Sequence, residues 1–143
     1  MNMTLLHRLF GKHTPKQTPV DEVRHIIDRF TTATHAGVDA EDIGRYPHKQ
    51  RKVMAFHFGA IKYLAQQHEL DEIETLGVFV VFLDKYFNLP VKETGSISEL
   101  LEGFESNVDE QEYLEAGLDV FRRWHEHGER RAPLRLGELL QRV

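Results

Sequence analysis

The 143-residue chain contains no cysteine. That excludes a disulfide framework, a thiolate zinc or iron–sulfur site and a cysteine nucleophile. No apolar run approaches the ~18 residues of a membrane span, the longest being Leu76 to Leu83. A signal peptide is not expected either, because Arg8 follows only a few apolar residues and no cleavage-like site appears. The default expectation is therefore a cytoplasmic protein. Internal repeats, heptad arrays and low-complexity tracts are missing. So are the glycine-rich dinucleotide fingerprint, the phosphate loop, the Gly-x-Ser-x-Gly elbow and the kinase motifs. Ser96, Ser98 and Ser106 read as caps or loop residues with no base beside them. No metal or organic cofactor is expected, and the chain reads as non-enzymatic.

What is present is a globular balance, with 41% hydrophobic residues, 29% charged residues and nine phenylalanines. A chain of this length buries about two-thirds of its unfolded surface without a staple. The formal charge of −5 is unevenly spread. Residues 1–68 carry a net +4, residues 69–112 a net −10, and residues 113–143 a net +1. An acidic middle does not suit a general nucleic-acid binder, whose affinity comes from phosphate neutralisation.

Helical signals dominate. Thr18-Pro19-Val20-Asp21 supplies an N-cap and a proline at the first helical position, and apolar residues recur from Val20 to Phe30, predicting a helix over 19–35. Residues 36–46 read as a connection with Gly37 and Gly44. Pro47 opens a long helix to Glu69, and an Asp71/Glu74 capping box opens another to Asn88. Residues 89–95 read as a loop. A Ser96/Glu99 box starts a short helix, and Asn107 or Asp109 caps a long one ending near Gly128. A tail with Leu134, Leu136, Leu139 and Leu140 adds a final turn or two. The expectation is all-α: a single-domain bundle of five to six helices over residues 18–143, preceded by a basic amphipathic arm over 1–17. Gly77 to Leu83 is apolar on both sides; its length and caps favour a helix, so residues 71–88 are expected to form a central, nearly fully buried one.

Two places attract a functional reading. Arg45-Tyr46-Pro47-His48-Lys49-Gln50-Arg51-Lys52 puts four fixed cations and no acid at a helix start, against the positive end of the macrodipole. Arg45, His48, Lys49, Arg51 and Lys52 thus form a candidate surface for a small anionic ligand or an acidic partner. Neutralisation by Asp39, Glu41 and Asp42, or by the acidic middle, is the plainer alternative. The second place is a trio set among apolar neighbours on three helix wheels: His57, Asp84 and His125. If those faces converge, they offer a metal site or a base with its orienting acid; otherwise each is an ordinary structural group. Two further features bear on packing and location. Gly59, Gly77 and Gly117 lie inside predicted helices, with Gly77 and Gly117 placed for close helix approach. Leu5, Leu6, Leu9 and Phe10 share a face with Arg8 and Lys12 nearby, so residues 3–12 offer contact with a membrane surface, with the domain itself or with a partner subunit. Together these features predict an interaction or regulatory module working through charged helix surfaces, with a protein partner or self-association. The alternative is a ligand-binding bundle with an anion site near Pro47 and an apolar pocket.

Overall fold

Local capping chemistry decides where most of the helices start. The computed structural model describes residues 18–88 and 94–142. Helix α1 spans Pro19–His35, α2 Ala40–Arg45, α3 Pro47–Gln67, α4 Glu72–Phe87, α5 Thr94–Ser106 and α6 Val108–His127; a 3-10 turn over Ala132–Leu134 leads into α7, Arg135–Leu140. Among the described residues there is no strand, and the all-α bundle expected from the sequence is what forms. Thr18 accepts the amide of Asp21 at 3.1 Å. Asp71 and Glu74 bond reciprocally, each side chain taking the other's backbone amide. Asn107 accepts the amide of Glu110 at 3.0 Å, and Gly128 ends α6 with φ 65°. Each device satisfies a helix-end group that would otherwise be left to solvent.

The structure departs from the sequence reading in three places. The connection 36–46 contains α2, capped by Asp39 through the amides of Glu41 and Asp42. Helix α5 begins at Thr94, so Ser96 lies within it and the Ser96/Glu99 box is not its N-cap. The central helix is α3 and not 71–88: ten residues of α3 are buried, whereas α4 buries Val78, Phe79, Phe82 and Leu83 and leaves Ile73 80% and Val81 37% exposed. Helix α4 is apolar nearly all round yet packed on one side. The expected arm over 1–17, with its membrane-contacting segment 3–12, and most of the loop 89–95 lie outside the described residues.

Each of the five longer helices sends one fully buried phenylalanine inward: Phe30, Phe56, Phe79, Phe104 and Phe121. Phe30 meets Phe121 edge-on at 5.0 Å and Phe79 meets Phe104 edge-on at 6.1 Å, geometries that aromatic quadrupoles favour. At the crossing of α3 and α6 the two backbones touch. A Cβ on Gly59 would stand 1.9 Å from the Leu114 carbonyl oxygen, and one on Gly117 would stand 1.7 Å from that of Phe56. The close approach foreseen for Gly117 is therefore real, and its counterpart is Gly59. A Cβ on Gly77 meets nothing within 4 Å among the described residues. The tail closes the bundle by burying Leu136 and Leu140, with Gly137 set against the Gly37 carbonyl. Among the described residues no helix is long and apolar enough to cross a membrane.

Candidate functional site

Helix α3 starts without a side-chain cap: Tyr46 occupies the position and contributes no side-chain hydrogen bond. Its first turn carries cations against the dipole, and the surrounding structure answers them one at a time. Lys49 donates to Asp42 in the first turn of α2 and lies over the Tyr46 ring at 5.2 Å. Arg45 stands 3.9 Å from Glu41, with both side chains largely in solvent, where an ion pair contributes little. Lys52 sits 5.6 Å over the ring of Tyr113. Burial, and then the Asp109 charge, push that phenol up from its ordinary value. His48 is exposed and packs its ring on Tyr46 at 5.6 Å.

Arg51 has a different role. Its Nε and Nη2 donate to Glu110 Oε2 and Oε1, both at 3.1 Å, and the Glu110 side chain is only 8% exposed. Space for the guanidinium is made by Gly103 of α5, where a Cβ would fall 2.2 Å from Arg51 Nη2. Arg51 therefore ties α3, α5 and α6 together. Of the five residues in the expected anion- or partner-binding strip, Arg45 and His48 face solvent, while Lys49, Arg51 and Lys52 engage groups within the fold.

The trio of buried polar candidates does not assemble. His57 is fully buried, but Asp84 and His125 are exposed on other helices. His57 Nδ1 lies 2.8 Å from the Val53 carbonyl, which can only accept, so Nδ1 carries the proton. Nε2 is then a bare acceptor, and the Thr34 hydroxyl donates to it at 2.8 Å. The same hydroxyl lies 2.9 Å from the Thr31 carbonyl, so one proton faces two acceptors. Burial lowers the His57 pKa to about 3; the Val53 bond opposes that and a charge on His35 would add to it. His57 is thus a neutral core group with both nitrogens satisfied. Asp84 shares its face of α4 with Ile73 and Gly77, and that face points outward. His125 stacks on Phe121 at 5.2 Å, and partial burial lowers its pKa.

Glu22 and His25 stand three residues apart, a spacing used by metal-binding bundles. Here Glu22 turns instead to His68 Nδ1 at 3.5 Å. No group of three metal-ligating side chains gathers among the described residues.

His35, near the end of α1, stands in the wall of a cavity. The cavity, of about 380 Å³, lies between the end of α1, α2, the start of α3 and the end of α4; His35, Ile43, Gln50, Val53, Lys85 and Tyr86 help line it. The His35 ring meets His57 edge-on at 5.6 Å and Tyr86 at 5.7 Å, and burial lowers its pKa. Tyr86 and Lys85 both reach Asp28, the phenol donating to Oδ1 at 3.0 Å and the ammonium lying 3.1 Å from Oδ2.

The opposite charge sign is displayed more openly. Glu99, Glu102 and Glu105 recur along α5, and Asp109, Glu112 and Glu115 along α6. All six are exposed, and none has a basic side chain within 4 Å among the described residues. Compared with known proteins, the chain matches no family model, no curated sequence and no solved structure. The fold and these surfaces define a helical bundle with a tied-down basic strip, an open acidic strip and a cavity beside His35.

Proposed function

We propose that this protein is a non-enzymatic cytoplasmic interaction module whose acidic strip on α5 and α6 receives a basic protein partner. The supporting observation is the contrast between the two charged strips. Three cations at the start of α3 are engaged within the fold, whereas the six carboxylates of α5 and α6 lie exposed without basic neighbours among the described residues. Such a surface raises the encounter rate of an oppositely charged partner and makes binding salt-sensitive. The partner is another protein or a basic surface of a second copy. The test is affinity capture from the native host followed by titration of the purified partner at low and high salt. E102Q/E105Q/D109N/E112Q should weaken binding and flatten its salt dependence; unchanged affinity and salt slope would discard the reading.

A second reading is favoured by the cavity beside His35. Convergent polar groups on an otherwise apolar wall are what a small-molecule site requires, and Gln50 and Val53 bring the cavity against the first turns of α3. On this reading an amphipathic ligand places its apolar part against Ile43 and Val53 and its anionic group near His35 and Lys85. Native mass spectrometry of the purified chain decides: a retained small-molecule mass, lost in Val53→Trp, supports it, and the bare chain mass alone sinks it.

A further inference from the structure

Ile73, Gly77 and Val81 stand one turn apart on α4 and all three are exposed, Ile73 to 80%. Leu76 and Val80 flank them, half-buried. This outward apolar face runs two turns, about 12 Å at ~1.5 Å per residue. Glu69, Glu72 and Glu74, exposed and without a basic side chain within 4 Å among the described residues, surround its Ile73 end.

We propose that residues 3–12 of this same chain pack on that face, with Leu5, Leu6, Leu9 and Phe10 covering Ile73, Gly77 and Val81. The place where the chain enters the described fold carries the inference. Thr18 accepts the amide of Glu22 at 2.9 Å, and the Glu22 carboxylate lies 3.5 Å from His68 in the turn that leads into α4. Asp28, further along α1, reaches Lys85 and Tyr86 near the other end of α4, so α1 and α4 run side by side with Thr18 at the Ile73 end. Residues 13–17 bridge up to about 17 Å at ~3.3–3.6 Å per residue, enough to turn the preceding segment back along α4.

Charge selects this occupant. Arg8, Lys12 and Lys16 have no acid among them before Asp21, and they would meet Glu69, Glu72 and Glu74. A second copy of α4 packed in parallel would bring like charges together at the same place, and an anionic lipid surface would be repelled by them. Gly77, with nothing among the described residues within 4 Å of a Cβ position, leaves the middle of the face flat for a bulky side chain. This docking is independent of the partner-binding reading, which concerns α5 and α6.

The absence of cysteine gives a clean test on the full chain. Under mild oxidation, L9C/I73C should form a disulfide within monomers at a rate independent of protein concentration, and L9C/R130C should not. Mostly cross-linked dimers, or no excess over the R130C control, would overturn the proposal. I73D, at a position 80% exposed in the described fold, should speed tryptic cleavage after Arg8 and Lys12 about tenfold, a loss of about 1.4 kcal/mol of docking. Unchanged cleavage would overturn it, as would protection of residues 5–10 that appears only when anionic vesicles are added.

Discussion

Arg51 and Glu110, on α3 and α6, meet through two parallel hydrogen bonds of 3.1 Å, and the carboxylate is nearly buried while the guanidinium keeps an edge in water. The pair is asymmetric as a result. Arg51→Ala strands a carboxylate that has little access to water and should destabilise the fold by about 2 kcal/mol, less than the ~3–5 of a fully enclosed pair because water reaches the vacated side. Neutralising Lys52, held over the Tyr113 ring, should cost less than about 1 kcal/mol, and neutralising Lys49 should cost less than Arg51→Ala because its partner Asp42 keeps access to water. Urea unfolding of the three single variants checks the ranking; equal effects would show that Arg51 has no special structural role.

The helical glycines should respond with opposite signs. In an exposed helix, Gly→Ala stabilises by about 0.5–1 kcal/mol, and Gly77→Ala should follow that rule because its Cβ meets nothing among the described residues. At Gly59 and Gly117 the new methyl group would overlap a carbonyl of the crossing helix, so α3 and α6 must separate. Overpacking of that kind costs about 1–3 kcal/mol and outweighs the propensity gain. Thermal denaturation should place Gly77→Ala above the parent and the other two below it.

Acid should weaken the protein through its buried imidazole. His57 is neutral in the fold, with a pKa of about 3, while the unfolded chain presents it near 6.5. Between those values the unfolded state takes up a proton that the folded state refuses. The stability attached to His57 is thus fully present above pH 6.5 and is lost as pH falls toward 3. One such group contributes a slope of up to about 1.36 kcal/mol per pH unit. His35, also lowered by burial, adds in the same direction. Urea midpoints measured from pH 7 to pH 4 should decline, and His57→Gln should flatten the decline even though it lowers the starting stability. An unchanged slope would remove His57 from the acid response.

Asp71→Ala abolishes the side chain that caps the amide of Glu74 and leaves half a capping box. A loss of about 1 kcal/mol is expected, with amide exchange increasing first over residues 72–76. A rise spread evenly over α4 would mean that the helix end is held by tertiary packing.

Helix boundaries were legible where the determinants are local. Thr18, Asp71, Asn107 and Gly128 act on amides and carbonyls within a turn of themselves, so their sequence signals sufficed. Helix α2 escaped because six residues offer too few periodic positions, although Asp39 carried the cap. The identity of the central helix was not legible. Apolarity all round 72–87 says that each face can be covered, not that the rest of the described fold covers it. Helix geometry puts Asp84 on one face with Ile73 and Gly77, and nothing local says whether that face points in or out. Arg51 and Glu110 lie far apart in the chain, so the pairing that anchors the basic strip depends on which helices cross. Gly59 did carry a signal, the same mid-helix glycine that drew attention to Gly117, but its partner backbone belongs to another helix.

The peptide-to-peptide crossing of α3 and α6 also sets how this architecture can vary. Surface charges, the cavity wall and even the phenylalanine core can drift by compensating exchanges between neighbours. A main chain in contact with another main chain has no side chain to exchange. A distant cousin of this bundle would therefore be traced most surely by two bare positions, one in each crossing helix, after every charged residue had changed.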